Sequence, residues 1–143
     1  MPVILYFGDR KEEFEAVSGL LTVKAETLPF DKPFDIIVID GEPNSTATVP
    51  TGVVGVVGSH NKKGLECLMR SGVRTVTCGM SRRDTVTLSS SVSDITVCLQ
   101  RRLPSLAGGI LEPGEYIVQN STDDYILLLL VSATRLLSGL EPM

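Results

Sequence analysis

The chain has 143 residues and a formal net charge of −4, and 43% of its residues are hydrophobic. This length suits one domain with a sizeable core, and the composition excludes a wholly disordered chain. The mild acidity gives no electrostatic basis for binding nucleic acid, so we predict no nucleic-acid partner. The longest apolar run, residues 125–131, is far shorter than the roughly 20 residues that cross a bilayer. We therefore predict no membrane partner.

The N-terminal sequence MPVILYFGDRKEEF lacks the basic start and the small-residue cleavage site of a signal peptide, which predicts a cytoplasmic protein. Cys67, Cys78 and Cys98 are widely spaced, and each lies beside apolar residues. The sequence contains neither a CxxC pair nor a Cys/His pair with the spacing of zinc ligands. We therefore predict buried free thiols, no metal site and no cofactor.

Residues 1–80 alternate short apolar runs with helical patterns. Strands are predicted at residues 2–7, 22–28, 34–39, 52–58 and 73–78. Amphipathic helices are predicted within residues 10–21, ending near Gly19, and at residues 61–71. The predicted core faces are Phe14, Val17 and Leu21 in the first helix and Leu65, Leu68 and Met69 in the second. This alternation predicts an α/β fold with a mainly parallel, Rossmann-like sheet and flanking helices.

Residues 81–119 follow a different pattern, with alternating apolar and polar residues and no helix between the runs. The stretches 84–89, 94–101 and 116–118 predict a small antiparallel extension of the sheet, with turns at residues 90–93 and 103–109. Residues 120–140 predict an apolar helix that packs back on the sheet. We therefore predict a single domain, residues 1–143, built from the parts 1–80, 81–119 and 120–140.

The ends of the final helix carry recognisable signals. Residues 120–122 (Asn-Ser-Thr) are all good N-cap types. Asp123 and Asp124 would place negative charge in the first turn, and Gly139 would end the helix. A helix that is apolar on nearly every side is either sandwiched in the core or presents its outer face to another subunit. This helix, or an exposed sheet edge, would then support a homodimer or a protein partner.

Several polar residues follow strands of the predicted parallel sheet. Asp40 follows the strongest strand, at the edge where open α/β sheets bind ligands, so it either binds magnesium or ribose or caps the adjacent loop. His60 is the only histidine and lies on the same edge after the fourth strand. Ser59 or Asn61 would cap the next helix, whose free amides could hold an anion.

Basic residues continue this edge. Residues 62–102 contain eight bases against three acids, a pattern of either an anion-facing surface or scattered solvated charges. The predicted ligand-binding residues are Asp40, Ser59, His60, Asn61, Lys62, Arg82 and Asn120. Their ligand would be a nucleotide or another phosphorylated small molecule. No catalytic residue is assigned, because neither a GxSxG elbow nor a glycine-rich GK[ST] loop is present.

Two segments resemble a known family. Residues 75–81 (TVTCGMS) look like a strand and turn of Mur ligases. Residues 114–120 (GEYIVQN) look like the glycine-x-histidine-asparagine-x-x-asparagine motif of the same family. These are ATP-dependent amide-forming enzymes of peptidoglycan precursor synthesis. From about residue 35 to residue 140, the chain resembles the second half of their central domain. Gly114 and Asn120 match the motif, whereas Tyr116 and Ile117 replace its histidine and first asparagine.

The departures from the family bear on function. The lysine-threonine P-loop is absent, the magnesium-binding glutamate and histidine set has no counterpart, and the length leaves no room for the family's C-terminal domain. The resemblance thus implies the fold and a degenerate ATP site more than the ligase reaction. We expect a non-catalytic binding or accessory module linked to bacterial cell-wall precursor metabolism. A nucleotide or phosphorylated-ligand binder is the alternative, and a stand-alone enzyme would rest on His60 and Asp40 alone.

Overall fold

The computed structural model describes residues 1–90, 95–119 and 122–142. The helices are α1 (Lys11–Ser18), α2 (Lys62–Ser71) and α3 (Tyr125–Leu137). The strands are β1 (Ile4–Phe7), β2 (Val23–Lys24), β3 (Ile36–Ile39), β4 (Val54–Gly58), β5 (Arg74–Cys78), β6 (Val86–Ser90), β7 (Ile95–Leu99), β8 (Leu103–Pro104), β9 (Ile110–Leu111) and β10 (Gly114–Val118). None of the described helices is long and apolar enough to cross a membrane.

Eight strands form one sheet in the order β10-β7-β6-β5-β4-β3-β1-β2, and β8 pairs with β9 in a separate small sheet. Strands β1 to β6 are parallel, whereas β7 runs antiparallel to both β6 and β10. The structure therefore confirms the predicted α/β fold with a mainly parallel sheet, an antiparallel extension and a C-terminal helix.

The handedness of the connections distributes the helices over the two faces of the sheet. The connection from β1 to β2 and the later connections move in opposite directions along the sheet. Because such crossovers are right-handed, they lie on opposite faces. One core, around Tyr6 and Phe14, joins the sheet to α1 and α3. The other, around Ile37 and Leu68, joins it to α2 and to the loops before and after β3.

Helix α3 is buried on almost every side within a single chain. It packs on the sheet and on α1, and the backbone N–H of Leu106 donates to the carbonyl oxygen of Leu137 (2.9 Å). The buried hydroxyls of Ser132 and Thr134 donate to carbonyls four residues earlier, so they need no outside partner. This confirms a helix sandwiched in the core. In the described part of the chain, α3 has no continuous exposed apolar face for a subunit interface.

Helices α1 and α3 are parallel neighbours that are joined at both ends. At their first turns Arg10 pairs with Asp124. At their last turns the guanidinium of Arg135 donates from Nη1 to the carbonyl oxygen of Ser18 (2.6 Å). Since free carbonyls at a helix end need donors, Arg135 completes the C-terminus of α1.

The predicted cap of the last helix was wrong. Helix α3 begins at Tyr125, and Asp124 is its N-cap, with Oδ1 accepting from the backbone N–H of Leu127 (3.1 Å). Thr122 lies before the helix, and Asn120 and Ser121 fall outside the described residues. The prediction named the three cap types at residues 120–122, whereas the residue that caps the helix is Asp124, which also pairs with Arg10. The end was predicted correctly: Gly139 adopts φ 79° directly after the helix.

Two core assignments were also wrong. Leu21 is 89% exposed, because Gly19 adopts a left-handed conformation and ends α1 before the helical spacing reaches Leu21. Met69 is 76% exposed. Helix α2 buries Gly64, Cys67 and Leu68, and position 69 is rotated by about 100° from this narrow face.

The strand predictions needed three corrections. The second strand is only β2, two residues long. Strand β6 is parallel to β5, although it was predicted to be antiparallel. The two strands share a single bridge, between Cys78 and Val86, so β6 begins beside the end of β5 and the short segment 79–85 can connect them. Residues 103–109 are not a simple turn, since β8 pairs with β9 there. Of the predicted turn at residues 90–93, residues 91–93 lie outside the described residues.

The three cysteines are free thiols, as predicted, but only Cys67 and Cys78 are buried. Burial raises the pKa of both. Cys98 is half-buried because it lies on the sheet face that points away from α3, beside Glu115.

Gly55 allows α2 to approach the sheet. A Cβ atom at this position would lie 2.5 Å from Cδ2 of Leu68. We expect Gly55→Ala to lower the free energy of unfolding by about 1–3 kcal/mol through overpacking, measured by urea denaturation. Gly114→Ala is the matched control, because its new Cβ atom would meet only one atom at 3.9 Å. An equal loss in both variants would contradict this explanation.

Candidate functional site

The candidate site lies where the strand order reverses. Strands β1 and β3 are neighbours, and the chain leaves them toward opposite faces of the sheet, so their carboxyl ends open a crevice. The crevice has a volume of about 420 Å³. Its lining includes Asp9, Arg10, Asp40, His60, Asp124 and Ile126. Two of the predicted site residues, Asp40 and His60, therefore share this crevice.

Arg10 is the central charge of the crevice. Its Nε and Nη2 atoms donate to Oδ2 and Oδ1 of Asp40, each at 3.0 Å, which is a bidentate ion pair. Its Nη1 atom donates to Oδ2 of Asp124. The hydrogen bond to Asp40, followed by the one to Asp124, outweighs partial burial and raises the pKa of Arg10. One cation thus joins β1, β3 and the start of α3.

Tyr6 forms hydrogen bonds to both residues of this ion pair. Its hydroxyl donates to Oδ2 of Asp40 (2.5 Å) and accepts from the backbone N–H of Arg10 (3.0 Å). Burial and then the bond to Asp40 raise the pKa of Tyr6, so its hydroxyl stays protonated. Asp40 consequently binds the first strand and its following loop rather than capping the adjacent loop.

Asp124 has two structural roles. One oxygen caps α3 and the other binds Arg10. Burial raises the pKa of Asp124, but the hydrogen bond from Leu127 and the interactions with Arg10 outweigh that effect. The pKa of Asp124 therefore lies below its ordinary value.

His60 forms an exposed wall of the crevice. Its ring lies over Gly58, where a Cβ atom would stand 2.6 Å from Cε1 of His60. Glycine at the end of β4 therefore allows the imidazole to lie against the backbone. Among the described residues, His60 donates no hydrogen bond to Asp40, so the structure does not join the two as an acid–base pair.

The residues on either side of His60 are engaged inside the protein. Asn61 caps α2, with Oδ1 accepting from the backbone N–H of Gly64 (3.0 Å), which confirms one of the two predicted caps. Its Nδ2 atom donates to the carbonyl oxygen of Gly41 (2.7 Å) and joins the end of β3 to α2. Ser59 turns toward the buried carboxylate of Asp84 (3.4 Å) rather than toward the crevice.

The structure does not bring the other predicted site residues into the crevice. Lys62 is exposed in the first turn of α2, and Arg82 is exposed on the loop between β5 and β6. This loop adjoins the end of β4, since the backbone N–H of Ser59 donates to the carbonyl oxygen of Cys78 (2.9 Å). The two bases thus form a separate patch. Asn120 lies outside the described residues.

Sequence reasoning missed the three residues that organise the crevice. Tyr6 lies within an apolar strand, Arg10 lies in a polar loop without a recognised motif, and Asp124 is predicted only as a charge in the first turn of the helix. The local signal was an arginine three residues after the end of the first parallel strand. Within residues 1–90, 95–119 and 122–142, no three His, Cys, Asp or Glu side chains converge as a metal site.

Comparisons with protein-family models, curated proteins and solved structures gave no significant match to this chain. The site must therefore be interpreted from its own geometry.

The ion pair between Arg10 and Asp124 can be separated from the helix cap. Asp124→Asn keeps a good N-cap but loses the charge, so we expect it to cost less than about 1 kcal/mol at pH 7, given the partial exposure of both side chains. Asp124→Ala also loses the cap and should cost about 1 kcal/mol more. Urea denaturation of the variants measures both effects.

The pH dependence has a defined sign. Because the pKa of Asp124 is lower in the folded state, its contribution is present above the unfolded-state pKa and is lost as pH falls through the folded-state pKa. The free energies of unfolding of wild type and Asp124→Asn should therefore begin to converge below about pH 4 and become equal once pH falls below the folded-state pKa. Asp31→Asn, at an exposed position between β2 and β3, is the control. A difference at Asp124 that persists in acid would rule out the ion pair as its cause.

Proposed function

We propose that the chain is a non-catalytic, Mur-ligase-like binding or accessory module of cell-wall precursor metabolism. The observation that supports this proposal is the pairing of the crevice charges with one another. Arg10 is bound by Asp40 and Asp124, and Tyr6 donates to the same Asp40. Acyl-phosphate chemistry needs charges directed at phosphate and magnesium. Here these charges hold strands and a helix together.

The segment that resembles the family's histidine–asparagine motif supports the same proposal. It forms β10, in which Tyr116 packs toward the core on the α3 side and Ile117 is exposed on the opposite face. Neither side chain brings a histidine-like or amide group to the crevice. Residues 114–118 of the segment therefore contribute a strand to the sheet, and Tyr116 contributes packing.

A second candidate is a protein that binds a nucleotide or another phosphorylated small molecule. Lys62 and Lys63 occupy the first turn of α2, and this turn contains no acidic residue. A helix N-terminus favours negative charge, so these lysines oppose the dipole. A phosphate group would supply the missing negative charge, with Arg82 on the adjacent loop as a further donor.

The first candidate predicts the absence of turnover. We expect the protein with ATP, magnesium, amino acids and UDP-sugars to release phosphate at the rate of a protein-free blank and to form no amide product, measured by phosphate assay and mass spectrometry. His60→Ala is the paired variant, since His60 is exposed and its removal leaves the core intact. Turnover that is lost in His60→Ala would instead establish a stand-alone enzyme.

The second candidate predicts a measurable affinity. In calorimetric titrations with ATP and with a UDP-sugar, Lys62→Ala or Arg82→Ala should each weaken binding about tenfold, the effect of losing one charge-assisted hydrogen bond. Arg74→Ala, at the opposite edge of the sheet, should leave the affinity unchanged. Heats indistinguishable from dilution for both ligands would eliminate this candidate.

A further inference from the structure

The carboxyl edge of the sheet carries two groups of exposed charges at separate places. The acidic half consists of Asp9, Glu12, Glu13 and Asp123, around the starts of α1 and α3. The basic half consists of Lys62, Arg82, Arg83 and Arg101, over β4, β5 and β6. The crevice with Arg10 and His60 lies between them.

Among the described residues, these charges have no ion-pair partner. Ion pairs in the described residues involve Arg10, Lys11, Lys63 and Arg102 as the cations. None of the eight residues of the two halves takes part in one. Each half therefore presents charge to whatever contacts this edge.

The loop of the basic half is held in place by hydrogen bonds. The carboxylate of Asp84 accepts from the backbone N–H of Ser81 (2.9 Å), and Gln100 donates to the carbonyl oxygens of Ser81 (3.0 Å) and Asp84 (2.7 Å). Arg101 donates from Nη1 to the carbonyl oxygen of Arg83 (2.6 Å). Arg101 is thus held beside the loop that carries Arg82 and Arg83, where these cations repel one another unless an acidic surface meets them.

The two halves are complementary to each other. We propose that two copies of this chain associate through the carboxyl edges of their sheets, with the basic half of each copy on the acidic half of the other. A two-fold axis near the crevice places both contacts in one isologous interface. Four bases then face four acids on each side of the axis. The inference rests on these charges alone and is independent of the proposed function.

Apolar side chains on the same edge fit an interface between proteins. Met80 is 61% exposed beside the basic half, and Tyr125 is 48% exposed beside the acidic half. Tyrosine and methionine are enriched in such interfaces. A long polyanion is disfavoured as the occupant, because the acidic half would repel it while the basic half attracted it.

The test is the molar mass of the full chain, measured by sedimentation equilibrium over a range of concentrations at about 20 mM and about 500 mM salt. We expect a dimer at low salt whose dissociation constant rises at least about tenfold at high salt. The variant Arg82→Glu/Arg83→Glu and the variant Asp9→Lys/Asp123→Lys should each be monomeric. Arg74→Glu, at the opposite edge, should remain dimeric.

Mixing the two charge-reversed variants gives the decisive measurement. The first variant keeps its acidic half and the second keeps its basic half, while the substituted half of each carries two positive and two negative charges. An equimolar mixture restores one contact between an intact acidic half and an intact basic half, so it should form a heterodimer although neither partner self-associates. Circular dichroism of each variant confirms that it is folded. A wild-type monomer at low salt would overturn the proposal, as would a dimer that survives both reversals but is lost in Ile117→Lys on β10. A mixture that stays monomeric, or a monomer that binds polyglutamate through the basic half, would do the same.

Discussion

The geometry of the crevice depends on one guanidinium held between two carboxylates. Arg10 follows β1, Asp40 follows β3, and Asp124 precedes α3, so a single cation fixes three elements at the point where the strand order reverses. Parallel strands that send their connections to opposite faces separate at this point. The carboxylate of Asp40 is nearly buried, so its charge would destabilise the folded state if Arg10 did not pair with it. The polar site is therefore part of the architecture, because it holds the separated ends together.

All three helices begin at this same edge, which explains the unequal distribution of charge. A helix N-terminus carries partial positive charge, and acidic side chains near it are favourable. Helix α1 has Glu12 and Glu13 in its first turn, and α3 has Asp124 as its cap. Helix α2 begins with lysines instead. The edge is thus acidic where two helices follow the local rule and basic where the third departs from it.

The sequence was sufficient for the features that depend on local periodicity. Each of these features is specified by residues that are close together in the sequence. They are the apolar run of β3, the alternation of strands and helices, and the apolar character of α3. The ion pair between Arg10 and Asp124 joins residues that are 114 positions apart, so no local pattern in the sequence indicates it. Both the helix cap and the organisation of the crevice were therefore missed. Leu21 was misplaced for another reason: the helix end near Gly19 was predicted, but the apolar spacing was extended past that glycine. Of the predicted site residues, Asp40 and His60 share the crevice because both follow parallel strands. That rule places a residue at the edge of the sheet but does not predict which side chains it contacts there.

The joining of α1 to α3 at both ends has a consequence for the order in which the fold forms. Helix α1 has eight residues and no side-chain cap of its own, which is too short for a stable isolated helix. Its contacts with α3 connect residues 114 and 117 positions apart. During synthesis these contacts cannot form until residue 135 has been made, whereas β4, α2 and β5 already have their neighbours in the chain. The first helix in the sequence is thus among the last to acquire its native environment, and its face of the sheet stays uncovered until that time.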